Sequence, residues 1–312
     1  MSYTHSPELK APQKMPEIDP GKPAMAGMLR ILRLTHQKQT GAFQPPPGLK
    51  CHTIPIPSGA ENDIPCFVIE PENAASVLPA VLMIHGGGFY LPVQISTLNL
   101  ACEYAMHLNA RVFVPEYRLV PQFTAPTQLE DCMAVWEFLL AQGQQQSIDT
   151  ERMLLIGDSA GAALAAGLSI ALRGSDSPQP KGQLLIYPVL DDRAERYASY
   201  KLYEDACWSP KSTKAMWDAY LKDADVTMFC KLIPSRCDDL HGLPKAYIEA
   251  QEIDVLRDEA VAFSEALVEV GVPTELKIVE GSYHGFDGDL SSPLVQQVIA
   301  HRIETAKKML AL

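Results

Sequence analysis

The chain has 312 residues, 47% apolar and 21% charged, which is enough apolar material for a large core and too much for general disorder. That length suits one large α/β domain carrying an added cap. A net charge of −12, without any cluster of Lys and Arg, speaks against a nucleic-acid groove or an anionic-membrane surface. The expected partner is a neutral or weakly polar small molecule.

The N-terminal stretch MSYTHSPELKAPQKMPEIDPGKP is polar and Pro-rich and lacks the apolar segment of a secretory signal. Residues 24–34, AMAGMLRILRL, are interrupted by Arg30 and Arg33, so they read as a short amphipathic helix packed on the main body, without stable membrane insertion. The seven cysteines (51, 66, 102, 132, 207, 230 and 237) show no Cys-x-x-Cys and no zinc spacing with His. They read as reduced, mostly structural thiols of a cytoplasmic protein.

Short aliphatic runs then alternate with helical patterns. Strands are expected at 52–57, 64–70, 80–85, 111–117, 153–157, 183–188, 246–250 and 274–280. Helices are expected near 98–108, 126–142, 160–173, 211–222, 257–270 and 293–311. The first strands are joined too closely for crossovers, whereas the later links are helix-length, so an antiparallel start should lead into a parallel, doubly wound sheet. Two regions escape the alternation. Residues 1–45 read as an N-terminal cap segment and 191–240 as a cap or lid insertion, leaving 46–190 and 241–312 as the core.

Residues 154–172, LLIGDSAGAALAAGLSIAL, have the hydropathy of a membrane span with Asp158 and Ser159 inside it. They are better read as a buried strand, a polar corner and a buried Ala/Gly-rich helix. The corner, Gly157-Asp158-Ser159-Ala160-Gly161, fits Gly-x-Ser-x-Gly, a turn so sharp that a Cβ two residues to either side of the serine would collide with its neighbours. It projects the hydroxyl above the sheet beside a helix N-terminus, where negative charge is favoured.

A serine hydroxyl needs a base, and the base needs an orienting acid, here in the order Ser, acid, His. Three histidines follow Ser159. His301 falls in the last helix, and His241 precedes a strand and so belongs to the wrong sheet end. His284, in the glycine-bracketed loop EGSYHGFDG, remains as the base. Asp254, just past the strand 246–250, is the preferred acid over Glu252; Asp258 and Glu259 read as first-turn acids of the next helix. His85-Gly86-Gly87-Gly88-Phe89 offers bare backbone amides for an oxyanion hole, assigned to Gly86 and Gly87 with Ala160, while His85 and Gly88 support the loop. Candidate pocket residues are Phe89, Tyr90, Tyr187, Trp208 and Phe286.

Together, HGGGF, GDSAG, the Asp254 segment and YHGF resemble the hormone-sensitive-lipase-like group of α/β-hydrolase esterases, and PEYRLVP and LLIYPVLDDR extend the likeness over residues 50–311. The resemblance implies an α/β-hydrolase fold: a mostly parallel eight-stranded sheet, helices on both faces and a helical cap. It also implies hydrolysis of a small-molecule carboxylic ester, often with a short acyl chain, without metal or cofactor, with Ser159, Asp254 and His284 matching the triad. This chain departs from the group at YRLVPQFTAPT, at Ala162 and at YLPVQ after HGGGF, which bear on pocket shape. Amide or lactone hydrolysis by the same nucleophile, and a non-catalytic small-molecule receptor, are the alternatives. Either a monomer or a homodimer fits the sequence.

Overall fold

The computed structural model describes residues 3–59, 62–74 and 77–312. Eight strands form one sheet: β1 (Leu49–Ile56), β2 (Ile64–Pro71), β3 (Leu78–Ile84), β4 (Arg111–Pro115), β5 (Ile148–Asp158), β6 (Gln183–Ile186), β7 (Ala246–Ile253) and β8 (Thr274–Tyr283). Their order is β1-β2-β4-β3-β5-β6-β7-β8. The β1–β2 and β2–β4 pairs are antiparallel and every later pair is parallel, as the lengths of the links require. β5 starts at Ile148 rather than at 153, because Ile148 and Asp149 already pair with Leu78 and Pro79 before a shift in register.

The helices are α1 (Ala26–Gly41), α2 (Ile95–Leu108), α3 (Thr127–Ala141), α4 (Ala160–Arg173), α5 (Ala198–Leu202), α6 (Pro210–Tyr220), α7 (Phe229–Leu232), α8 (Arg257–Glu269) and α9 (Pro293–Leu310). Alternate residues of the central strands feed two cores. Ala80, Leu82 and Ile84 of β3 join the apolar side chains of α3, α4 and α8. Val81 and Met83 of the same strand join those of α2 and α9. α1 runs about two turns past the end of its expected segment; Leu29 is buried on the body, while Ile31 and Leu34 face solvent. The short helices α5 and α7 were not legible, since four or five residues carry too little periodicity.

The N-terminal segment runs over the sheet and meets residues 200–220. Met15 N–H donates to Cys207 O (2.9 Å), Tyr3 Oη to Leu202 O (2.9 Å), and Lys211 pairs with Glu17 (2.5 Å). One reading of the cysteines is corrected: Cys230 and Cys237 are joined in a disulfide that closes the turn after α7, and the other five are free. The six residues between them, most of them in α7 and the short 3-10 turn Pro234–Arg236, gave no signal of their approach.

Candidate active site

β5 delivers the corner. Ser159 sits at φ +53°, ψ −118°, a conformation rarely adopted by residues with a side chain, and it is held there from both sides. Its N–H donates to Ile186 O (2.9 Å), and its own carbonyl accepts from Val189 N–H (3.2 Å). The flanking glycines are sterically required. A Cβ on Gly157 would stand 2.7 Å from Ala162 Cα, and one on Gly161 would stand 2.6 Å from His85 O.

The strand ends then converge on the serine. Ser159 Oγ lies 2.9 Å from His284 Nε2, and His284 Nδ1 lies 2.7 Å from Asp254 Oδ2. All three residues are buried, with Ser159 the most accessible at 7%. The spacing fixes the tautomer: a proton on Nδ1 donates to the carboxylate, and Nε2 then accepts from the hydroxyl. Asp254 is itself oriented by Leu256 N–H on its other oxygen (3.1 Å). Glu252 points elsewhere, accepting from Gly281 N–H (2.7 Å). His241 and His301 sit at the surface beside Asp239 and Glu275. Trp208 stacks on the His284 ring (5.7 Å between centroids, 28°), Tyr187 packs at 4.9 Å, and the buried Cys207 thiol donates to His284 O (3.3 Å). Burial pushes that thiol up to about 12, which keeps it protonated.

The glycine loop differs from expectation by one residue. Gly86 N–H already donates to Asp158 Oδ1 (3.1 Å), and Gly86 does not reach the cavity. Gly87 and Gly88, at φ +100° and +61°, do line it. Among the described residues, no acceptor engages the N–H of either. His85 braces the loop. Its Nδ1–H donates to Gly86 O (2.7 Å), its carbonyl accepts from Tyr117 Oη (2.8 Å), and its ring stacks on Tyr117 at 4.1 Å. Burial lowers its pKa to about 4, so it is neutral.

Ser159, His284, Gly87 and Gly88 open on one cavity of about 330 Å³. A larger surface hollow of about 530 Å³, walled by Arg33, Glu116 and Phe123, holds none of these groups. Of the five expected pocket aromatics, Tyr90, Tyr187 and Trp208 line the cavity. Phe89 and Phe286 do not: Phe89 is stacked on Tyr220 at 3.9 Å, and Phe286 is packed in the core beneath α9. Aromatic character alone does not distinguish wall from core. Among the described residues, no group of three or more His, Cys, Asp or Glu is placed to hold a metal ion.

Sequence reasoning missed the polar layer behind the cavity. Arg302 of α9, almost wholly buried, bonds Glu249 through Nε (2.8 Å) and Nη2 (2.6 Å) and Asp287 through Nη1 (2.7 Å). Tyr187 Oη donates to the other oxygen of Asp287 (2.7 Å). Asp158 lies in front of this group; burial, and then the charge of Asp287, push it up to about 7. The one visible hint was Asp287 itself, three residues beyond His284. The N-terminal residues Met15, Pro16 and Ile18 also line the cavity, which irregular chain could not reveal.

A sharp strand–serine–helix corner on a mostly parallel sheet, with a histidine and an acid from later strand ends, defines an α/β-hydrolase. The family model described as alpha/beta hydrolase fold matches residues 81–288, and the chain belongs to that family. Esterase LipI of Mycobacterium tuberculosis (strain ATCC 25618 / H37Rv) is 32% identical over 222 residues, covering 70% of this chain and 68% of the relative. The solved structure titled Bacterial Heroin Esterase superposes with a TM-score of 0.84 at 29% identity, over 95% of this chain and 94% of the other. That of EstE1, a thermophilic carboxylesterase cloned from a metagenomic library, does so at 0.81 and 28%, over 91% and 97%. The chain is a carboxylic ester hydrolase of the α/β-hydrolase fold. No helix among the described residues is long and apolar enough to cross a membrane.

Proposed function

We propose that the chain hydrolyses small, weakly polar carboxylic esters of short to medium acyl length through an acyl-enzyme on Ser159. The relay of 2.9 Å from Ser159 Oγ to His284 Nε2 and 2.7 Å from His284 Nδ1 to Asp254 is the observation that carries this reading. His284 takes the hydroxyl proton as Oγ attacks the ester carbonyl, and Asp254 stabilises the imidazolium that forms. His284 then gives that proton to the leaving alcohol. A water molecule, deprotonated by the same ring, opens the acyl-enzyme to release the acid and restore the serine. The N–H groups of Gly87, Gly88 and Ala160 hold the oxyanion. This replaces the assignment of Gly86, whose N–H is spent on Asp158.

The acyl limit is supported by the cavity of about 330 Å³, and a cap role for the N-terminal segment is supported by Met15, Pro16 and Ile18 on its wall. The test is covalent labelling by a fluorophosphonate, followed by peptide mapping, with p-nitrophenyl butyrate turnover measured in parallel. The expected adduct is on residues 153–173 at Ser159, and Ser159→Ala loses both adduct and turnover while keeping its circular dichroism spectrum. Unchanged turnover in Ser159→Ala overturns the reading.

A further inference from the structure

The cavity walls carry charge of one sign. Two carboxylates, Asp158 and Asp287, line the space that Ser159 and His284 open on, and among the described residues no Lys or Arg lines it. The nearest guanidinium, that of Arg302, stands behind the wall and is committed to Glu249 and Asp287, two acids for one cation. Among the described residues, Asp158 has no ion-pair partner, and its one hydrogen bond comes from Gly86 N–H. Aromatic side chains complete the wall: Tyr90, Tyr187 and Trp208. Trp208 spends its indole N–H on Thr213 Oγ1 (2.9 Å). Aromatic faces attract cations, and a carboxylate in a half-enclosed cavity does so more strongly.

We infer that this cavity is charge-selective, favouring esters that carry an ammonium group over uncharged isosteres, and uncharged esters over carboxylate-bearing ones. The inference rests on the acyl-enzyme reading above and extends it to the class of substrate. Asp158 supplies the selectivity. Opposite unit charges about 6 Å apart at an effective dielectric near 20 attract enough for roughly a hundredfold preference. Incomplete ionisation and residual hydration reduce that to about tenfold.

The preference has a pH signature. Asp158 is faced by Asp287 from the turn after β8, by His284, by Arg302 of α9, by Tyr187 after β6 and by Tyr117 after β4. Burial and Asp287 hold its proton on up to about pH 7. The attraction for a cation therefore grows as pH rises through neutrality. The triad serves every ester alike, so whatever pH dependence it contributes divides out of a ratio.

The experiment compares kcat/KM for acetylcholine, for its uncharged isostere 3,3-dimethylbutyl acetate and for 4-acetoxybutanoate, by titrating released acetic acid from pH 6 to 9. The cation-to-neutral ratio is expected at about tenfold at pH 8.5, falling several-fold towards pH 6, and the carboxylate ester at one tenth of the neutral one or less. Asp158→Asn should bring the cation-to-neutral ratio close to one. A ratio of one or below at pH 8.5, a ratio flat with pH, or a preference kept in Asp158→Asn would each overturn the inference. If Asp158→Asn does not fold, the pH dependence of the ratio in the unaltered chain decides the matter. Turnover of the neutral ester that requires Ser159, without preference for the cation, overturns the selectivity alone. Failure on all three esters, with Ser159 unlabelled by fluorophosphonate, overturns the acyl-enzyme reading as well.

Discussion

The carbonyl oxygen of Ile84 occupies the place where a β-carbon on Gly161 would stand. The end of β3 and the first turn of α4 are therefore in backbone contact across a residue without a side chain. That contact holds the glycine loop, which leaves β3 immediately after Ile84, against the corner that carries Ser159. Gly161→Ala should push the two apart. The expected result is a loss of about 2–4 kcal/mol in denaturant unfolding and a fall in kcat/KM of about a hundredfold or more, because the neighbouring atoms are backbone and cannot rotate away. A variant with unchanged midpoint and rate would show that the loop position is not set there.

Asp254→Asn separates orientation from bulk. The amide is the same size, yet it can offer His284 Nδ1 a donor in place of an acceptor and so favour the wrong tautomer. Removal of this charge in a serine–histidine relay costs on the order of 10⁴ in kcat. The thermal midpoint should change little by comparison, and KM should stay within a few-fold. Loss of kcat and fold together would point to a structural role for Asp254 in the turn before α8.

Arg302 carries the opposite risk. Its guanidinium answers Glu249 and Asp287 deep in the core, and Asp287 in turn holds Tyr187 against the His284 ring. Arg302→Met leaves two buried carboxylates uncompensated. A loss of about 3–5 kcal/mol in urea unfolding is expected. The double variant Arg302→Met, Glu249→Gln should recover part of it, since one of the stranded charges is then removed.

The legible part of this molecule was the part written in local pattern. The central strands fall on runs of aliphatic residues, β1 and β8 are mixed in polarity, and the Ser159 corner could be placed because a turn that sharp tolerates only glycine at 157 and 161. Chain order then selected His284 and Asp254. What stayed hidden depends on which side chain reaches which neighbour across the fold. Gly86 and Gly87 look alike in sequence, and only the approach of Asp158 distinguishes them. Phe89 and Tyr90 are adjacent, yet one stacks in the core on Tyr220 and the other lines the cavity. The Arg302 cluster joins β7, the turn after β8 and α9, with no spacing rule to announce it.

Asp158 gives a stability measurement independent of turnover. Its proton is held up to about pH 7 in the folded chain, chiefly by burial and then by Asp287, whereas an unfolded aspartate releases it near pH 3.9. For an acid with a raised folded pKa, the unfolded state loses its proton first. The contribution to stability is therefore present below about pH 4, declines as pH rises towards 7 and stays lost above it. Asp158→Asn removes that dependence while keeping an oxygen for Gly86 N–H. The difference in thermal midpoint, variant minus unaltered chain, should rise between pH 4 and 7 and then level off. Unfolding followed by circular dichroism at pH 4.5, 6, 7.5 and 8.5 measures it. A difference that stays flat, or that falls as pH rises, would mean that Asp158 is ionised throughout and that the cavity wall stabilises its charge.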